Sequence, residues 1–212
     1  MAGQAVYSKR MLGLYDFLVL GVSNRFIWKC ATKTLLRHYD PHVRATHLDV
    51  GVGTGYFLDK CRFPSPTPRI GLLDLNQNAL DHTSARIRRH SPETYRGNVL
   101  EPLGIDAPKF DSVGLNYLLH CVPGNIASKA AAFDHLKPVM TPDAVLFGST
   151  LLQGGVSRGW LAKRLMRFYN GKGIFANEED HLDGLTTELR RRVADVSVDV
   201  VGCVSLFSER GT

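Results

Sequence analysis

Cysteine is scarce in this sequence and follows no pairing pattern. The four cysteines are widely spaced and form neither a C-x-x-C motif nor a Cys/His ligand spacing. This argues against a disulfide framework and against a zinc site, and we predict no metal. Internal repeats and long low-complexity segments are also lacking, so nothing in the chain suggests a repeat array.

A hydrophobic run long enough to cross a bilayer is missing too. The apolar stretch MLGLYDFLVLGV follows Lys9 and Arg10 as in a signal peptide, but Asp16 interrupts it and no convincing cleavage site follows. The run is too short to span a membrane and continues into a segment of helical character. We therefore predict no membrane partner and a cytoplasmic location.

The chain carries more positive than negative charge. Its 212 residues and 44% hydrophobic content fit a single globular domain with a full core, and 26 basic against 20 acidic residues give a net charge of +6. Basic residues near helix C-termini usually form solvated faces, so nucleic acid is not the expected partner. The excess of positive charge lies in three clusters, Arg86–Arg88–Arg89, Lys163–Arg164–Arg167 and Arg190–Arg191–Arg192.

The most informative segment is THLDVGVGTGYFLD, a glycine-rich turn that follows an apolar strand. Gly51, Gly53 and Gly55 allow the backbone to turn sharply and to approach a ligand closely. Asp49, at the strand end, can accept a hydrogen bond from a ligand ammonium or hydroxyl, whereas it would repel a pyrophosphate. This acid and the glycine spacing disfavour an NAD-dependent oxidoreductase, whose fingerprint is G-x-G-x-x-G.

Polar residues also follow the next two predicted strands. The second strand ends at Asp74, whose carboxylate suits two vicinal ribose hydroxyls, and Leu75 can lie against an adenine face. The third strand leads into Asn98 and Val99, where an amide side chain and a backbone N–H can read the adenine edge. These features together predict a nucleoside cofactor.

A fourth strand, Asp111–Leu115, runs into a loop that begins with Asn116. The loop sequence LHCVP resembles the L-H-H-V-P loop of the quinone-biosynthesis methyltransferases, with Cys121 in place of one histidine. Four motifs in this order, over Thr46–Ser149, resemble the class I S-adenosylmethionine-dependent methyltransferases of the small-molecule type. Asn98 departs from the acid that these enzymes often carry at its position.

Alternating strands and helices predict an α/β fold, a Rossmann-like doubly wound sheet that is mostly parallel and has helices on both faces. The fifth strand is predicted at Ala144–Ser149. Apolar alternation over Val196–Val201 and Val204–Phe207 predicts an antiparallel C-terminal hairpin. Such a hairpin is common in the methyltransferase family.

The resemblance implies one methyltransferase domain over residues 1–212, with residues 1–40 forming a helical cover over the cofactor. Residues 151–178 are a lid-like insertion whose centre has aromatic residues at helical spacing and glycines on both sides. A helix packed on the sheet edge is the alternative interpretation. Tyr15, Trp160 and Tyr169 are the candidate substrate contacts.

The predicted cofactor is S-adenosylmethionine, and the predicted product is S-adenosylhomocysteine. His120 is the candidate catalytic residue, as a base or a source of positive charge for an acceptor; it can instead stack on the cofactor or bond to it. The predicted cofactor-binding residues are Asp49, Gly51, Gly53, Gly55, Asp74, Leu75, Asn98, Val99 and Asn116.

The acceptor is predicted to be a small organic molecule, such as a quinone precursor or a secondary metabolite, because no RNA- or protein-binding domain is appended. Two alternatives remain open. The basic helices can serve an RNA methyltransferase, and the fold can persist as a non-catalytic cofactor-binding module. The sequence also leaves open whether the acceptor atom is O, N, S or C and whether the protein forms a homodimer.

Overall fold

A computed structural model describes residues 16–193 and 195–210. Its seven-stranded sheet has the order β3-β2-β1-β4-β5-β7-β6. The strands are β1 (Thr46–Val50), β2 (Arg69–Asp74), β3 (Glu93–Arg96), β4 (Phe110–Asn116), β5 (Met140–Leu151), β6 (Asp195–Val201) and β7 (Val204–Arg210). The N-terminal helix (Asp16–Ile27) is wound as a π-helix, and the α-helices are α1 (Thr32–Tyr39), α2 (Tyr56–Lys60), α3 (Gln77–Arg86), α4 (Ile126–Lys129), α5 (Ala131–Leu136), α6 (Trp160–Gly171) and α7 (Leu182–Arg190).

The sheet combines a parallel core with one antiparallel hairpin. Strands β1 to β5 pair in parallel, while β7 lies antiparallel between β5 and β6. The predicted mostly parallel sheet with a C-terminal hairpin is therefore confirmed. β5 is longer than its predicted span, Ala144–Ser149, because it also pairs with β4 at Met140 and with β7 as far as Leu151.

Apolar side chains form a core on each face of the sheet, as predicted for a doubly wound fold. On one face α4, α5 and α7 pack around Phe110 and Phe207, and on the other α1, α2 and α3 pack around Leu72 and Phe147. A third cluster joins the chain around Trp28 to α6 and to the C-terminal hairpin. The predicted cover and the predicted insertion therefore pack against each other.

Acidic side chains pair with several arginines of two of the basic clusters. Arg86 and Arg89 both contact Asp59, at 3.4 Å and 2.7 Å. Arg192 lies 2.7 Å from Asp134 and also pairs with a glutamate one turn earlier on α7. These pairs fit the interpretation of the two clusters as ordinary helix surfaces.

Within residues 16–193 and 195–210, no helix has the length and apolar character needed to cross a membrane. Over the same residues, no three His, Cys, Asp or Glu side chains are grouped so as to hold a metal ion. All four cysteines are free thiols.

Glu209 on β7 gives the fold a specific dependence on pH. Its side chain is buried, Oε2 has no hydrogen-bond partner among the described residues, and burial raises its pKa to about 7. A raised carboxyl pKa stabilises the fold fully below the unfolded value, near 4.5, and this contribution is lost as pH rises through about 7. The ionised carboxylate is therefore an unfavourable group at alkaline pH.

We expect Glu209→Gln to stabilise the protein at pH 8.5 by about 1–3 kcal/mol, which is about 3–9 °C in melting temperature for a chain of this length. At pH 5 the difference should be much smaller, because the carboxyl group of Glu209 is then protonated in the folded protein. Thermal unfolding at both pH values measures the effect. An equal change at both would show that the titration of Glu209 does not cause it.

Candidate cofactor and acceptor site

The predicted cofactor-binding residues that follow β1, β2 and β4 lie at one edge of the sheet, because these strands run parallel and end side by side. The loops that follow these strands touch one another. The backbone N–H of Gly53 donates a hydrogen bond to the carboxylate of Asp74, and the backbone at Gly51 lies against the Leu118 side chain. Three motifs that are far apart in sequence therefore form one site.

The three glycines of the first loop all have left-handed backbone angles, with φ of +71°, +53° and +71°. A Cβ atom on Gly51 would lie 2.6 Å from Leu118 Cδ1, and one on Gly55 would lie 2.7 Å from Thr83 Cγ2. At Gly53 the nearest atom would be 4.0 Å away. Gly51 and Gly55 are thus also required by packing, whereas Gly53 leaves open space that a ligand can occupy.

This difference gives a matched pair of variants. Alanine at Gly53 or at Gly51 is strained to a similar extent by the positive φ, at about 1 kcal/mol. Gly53→Ala is expected to weaken cofactor binding about 10-fold while lowering the melting temperature by only a few degrees, because its methyl group enters the ligand space. Gly51→Ala should unfold at a lower temperature than Gly53→Ala, because it also collides with Leu118. Calorimetric titration and thermal unfolding measure the two effects, and unchanged cofactor affinity in Gly53→Ala would contradict this assignment of the open space.

Asp74 joins the second strand to the glycine loop. Its carboxylate accepts the backbone N–H of Asn76 at 2.8 Å and those of Val52 and Gly53. Burial raises the pKa of Asp74, and the three N–H donors oppose that rise. The next residue, Leu75, is 45% exposed, so an apolar side chain faces solvent beside the site. Such a surface suits the face of a flat ring.

Asp49 and Asn116 are both buried at the ends of their strands. Asp49 Oδ1 accepts a hydrogen bond from the Tyr39 hydroxyl at 3.1 Å. Asn116 Oδ1 accepts one from Ser149 Oγ at 3.1 Å, while Asn116 Nδ2 has no partner among the described residues. An unsatisfied buried donor is costly, and a ligand oxygen would remove that cost.

At the third strand, the Asn98 side chain closes its own loop. Its Oδ1 accepts the N–H of Leu100 at 3.1 Å, and its Nδ2 donates to Glu101 at 2.8 Å. Both ends of the amide are thus engaged locally, and the adenine contact of this side chain stays a prediction. Val99 is buried, and its carbonyl accepts from His135 Nδ1 at 3.1 Å.

His120 lies buried in a short 3₁₀ turn after β4. Its Nδ1 accepts the backbone N–H of Leu151 at 3.4 Å, which leaves the proton of the neutral ring on Nε2. Burial and, to a smaller extent, the nearby charge of Lys129 lower the pKa of His120 to about 3. The ring is therefore neutral at physiological pH, and it is a weak base.

Aromatic side chains surround this histidine. The rings of Phe175 and Tyr117 meet it edge-on, with centroids 4.6 Å and 5.5 Å away. Phe175 also contacts Tyr169 at 4.8 Å and Trp28 at 6.2 Å. We call these five residues, from the cover, the fourth motif and the insertion, the aromatic cluster.

The three predicted substrate contacts separate in the structure. Tyr169 belongs to the aromatic cluster, whereas Trp160 is 75% exposed at the first position of α6. Tyr15 lies outside the described residues. Phe175 was missed by sequence reasoning, because it follows α6 in a glycine-rich turn where no periodic pattern marks it. Its position after the second glycine flank of the insertion was the only signal.

A buried ion pair holds the end of the insertion against the rest of the domain. Lys129 Nζ lies 2.6 Å from Asp180 Oδ2 and donates to the carbonyl of Ala176 at 2.7 Å, and both charged side chains are inaccessible to solvent. Burial lowers the pKa of Lys129 and raises that of Asp180. The segment that carries Phe175 is therefore fixed next to His120.

Comparison with known proteins matches the family model described as "Methyltransferase domain" to residues 48–146. The chain is 40% identical to demethylluteothin O-methyltransferase of Streptomyces thioluteus, over 97% of this chain and 89% of that protein. It is 38% identical to the physcion biosynthesis cluster O-methyltransferase of Aspergillus chevalieri, over 97% and 93%. Among solved structures, the DhpI–SAH complex has a similar fold, with a TM-score of 0.67 and 16% identity over 99% of this chain and 96% of that chain.

Proposed function

Because the chain belongs to the class I S-adenosylmethionine-dependent methyltransferases that act on small molecules, we propose that it methylates a hydroxyl oxygen on a planar aromatic acceptor. The resemblance inferred from the four motifs is confirmed, as are the Rossmann-like fold and the cofactor. The oxygen acceptor, its aromatic character and the residue roles below are the proposal.

The edge of the sheet fits S-adenosylmethionine on three observations. Gly53 leaves open space, Asn116 Nδ2 is an unsatisfied donor, and Leu75 presents an exposed apolar side chain. When bound, the cofactor supplies a methyl group that its sulfonium makes electrophilic. We assign Asp49 to the ammonium, Asn116 to the carboxylate, Asp74 to the ribose hydroxyls, Gly51, Gly53 and Gly55 to the close backbone approach, and Leu75, Asn98 and Val99 to the adenine.

The aromatic cluster carries the proposal for the acceptor. It brings the faces and edges of five rings together beside the fourth motif, and flat ligands pack well between such rings. The names of two relatives, demethylluteothin O-methyltransferase and physcion biosynthesis cluster O-methyltransferase, support oxygen as the methylated atom. Residues 151–178 then act as the lid that supplies Phe175 and Tyr169 and excludes water.

His120 acts in this proposal as a hydrogen-bond donor. Its pKa, about 3, makes the ring a poor base for a phenol. The acceptor instead gives its proton to solvent and binds as the anion, and the His120 Nε2–H donates to that oxygen. The oxygen then takes the methyl group and becomes a neutral ether. This assignment revises the role expected of His120, not its place in the site.

The proposed acceptor is tested with a matched trio of 2-naphthol, 2-naphthylamine and 2-naphthalenethiol, beside hydroxylated anthraquinones. We expect S-adenosylhomocysteine and a methyl ether from the hydroxyl compounds, identified by mass spectrometry and NMR. Methylation of the amine or the thiol alone, or of no aromatic compound in the set, would contradict the proposal. Titration with S-adenosylmethionine alone first establishes that the protein is active in binding.

Two variants of His120 separate a donor from a base. His120→Gln places an amide N–H where Nε2–H was but offers no base, and we expect it to retain a measurable fraction of the turnover. His120→Leu removes the donor and should lose at least about 10-fold more. Equal loss of turnover in both variants would contradict the donor role and favour a base, one of the roles that the sequence left open for His120.

A further inference from the structure

We infer that Tyr39 is a positioning residue for the cofactor: with His47 and Ser112 it forms a buried hydrogen-bonded relay that aims the Asp49 carboxylate. The inference rests on the proposed role of Asp49 toward the cofactor ammonium. None of these three residues is part of the glycine loop, and Tyr39 comes from α1, within the segment expected only to cover the site.

Neighbouring side chains of the relay all lie within hydrogen-bond distance of one another. Ser112 Oγ lies 2.9 Å from His47 Nδ1, His47 Nε2 lies 2.8 Å from the Tyr39 hydroxyl, and that hydroxyl lies 3.1 Å from Asp49 Oδ1. Tyr39, His47 and Ser112 are fully buried. The backbone N–H of Arg44 donates to Ser112 Oγ at 2.9 Å and so closes the far end.

Counting protons fixes the direction of the two hydrogen bonds that the Tyr39 hydroxyl makes. A carboxylate only accepts, and the Tyr39 hydroxyl has one proton, so that proton goes to Asp49. The His47 Nε2–H then donates to the tyrosine oxygen. At the far end, Ser112 Oγ lies 2.9 Å from His47 Nδ1 and 3.4 Å from the Thr46 carbonyl oxygen, to which its hydroxyl can also donate. Burial raises the pKa of Tyr39 well above its ordinary value, and the charge of Asp49 adds to the rise, so the phenol remains a donor.

The sheet provides space for these side chains. His47 and Asp49 are two residues apart on β1, so their side chains lie on the same face of the sheet. Their neighbours on β4 are Ser112 and Gly114. A Cβ atom on Gly114 would lie 3.1 Å from His47 Cε1 and 3.2 Å from Asp49 Oδ1. The glycine at this position therefore leaves room for the relay beside the carboxylate.

The relay is expected to affect the binding of one end of the cofactor only. Asp49 is almost completely buried, and Tyr39 holds its Oδ1, so the direction of the other oxygen is determined before a ligand arrives. A fixed acceptor binds a ligand ammonium more tightly than one that must be ordered on binding. The relay should therefore affect the amino-acid end of the cofactor and leave the nucleoside end unchanged.

The test compares two ligands by calorimetric titration of the full chain. S-adenosylhomocysteine carries the ammonium, whereas 5′-methylthioadenosine has the same nucleoside without the amino-acid end. Tyr39→Phe is expected to bind S-adenosylhomocysteine about 10-fold more weakly and methylthioadenosine as the wild type does. Ser112→Ala, at the far end of the relay, should bind S-adenosylhomocysteine about threefold more weakly and methylthioadenosine as the wild type does. Tyr95→Phe removes a tyrosine hydroxyl on β3 and is expected to bind both ligands normally.

Methylthioadenosine also reports folding, because a variant that binds it normally has an intact nucleoside site. Equal weakening for both ligands would show a structural role alone, and unchanged affinity for both would show no role; either result overturns the inference. If Tyr39→Phe does not fold, Ser112→Ala decides by the same comparison. No acceptor is used, so a failed oxygen-methylation assay has no bearing on the outcome.

Discussion

Asp74→Ala is expected to weaken the binding of S-adenosylmethionine by about 100-fold or more. The carboxylate has two tasks, since it accepts N–H groups of the glycine loop and is assigned to the ribose hydroxyls. Hydrogen bonds to a charged group contribute about 1.5–3 kcal/mol each, so the loss of two from the ligand corresponds to at least two orders of magnitude in affinity. Calorimetric titration with the cofactor and with its product measures the change.

Two further variants show how specific the effect of Asp74→Ala is. Asp74→Asn keeps one oxygen acceptor and should weaken binding by about 10-fold. Asp81→Ala removes an exposed carboxylate on α3 that accepts a hydrogen bond from Gln77 Nε2 at 2.9 Å, and this variant is expected to bind the cofactor normally. A dissociation constant for Asp74→Ala within about threefold of the wild type would refute the ribose assignment, because about 0.7 kcal/mol is less than one such bond.

The second large effect is expected at Lys129, where a charge is buried without access to water. Lys129→Met leaves Asp180 as an uncompensated buried carboxylate, and breaking such pairs costs about 3–5 kcal/mol. For a chain of this length we expect a decrease of about 10 °C in melting temperature. Urea denaturation gives the free energy directly. Turnover should also fall, because the segment that carries Phe175 loses its attachment.

Two controls identify the pair as the cause. Lys60→Met removes an exposed lysine that pairs with Asp59 and should cost less than about 1 kcal/mol. The double variant Lys129→Met/Asp180→Leu removes both buried charges and should recover much of the lost stability. A double variant that is less stable than Lys129→Met would show that the aspartate has an independent role.

The sequence could predict the strands and the cofactor edge because their signals are local. Strands β1, β2 and β4 are short, mostly apolar runs, and an acid, amide or glycine assigned to the site stands at or just after the end of each. Parallel strands then bring these residues together without further information. The choice of Asp49, Asp74 and Asn116 as site residues came from the chemistry of the first two and from the resemblance of the four motifs to the methyltransferase family.

The rest depended on contacts between residues that are distant in sequence. Nothing near Lys129 indicates that Asp180 will bury with it, and nothing near Tyr39 indicates its bond to Asp49. For α6, the aromatic spacing predicted a helix but not which side packs inward. The structure turns Ala162 and Met166 to the core and leaves Trp160 outside.

The order of strands in the sheet also has a consequence for synthesis on the ribosome. β7 lies between β5 and β6, although it follows both in the chain. During synthesis, the edge of β5 that pairs with β7 in the folded protein therefore has no native partner until β7 has left the ribosomal exit tunnel. An unpaired apolar edge is a template for aggregation, so translation that stops before Val204 yields a fragment for chaperones or proteases rather than a less active enzyme.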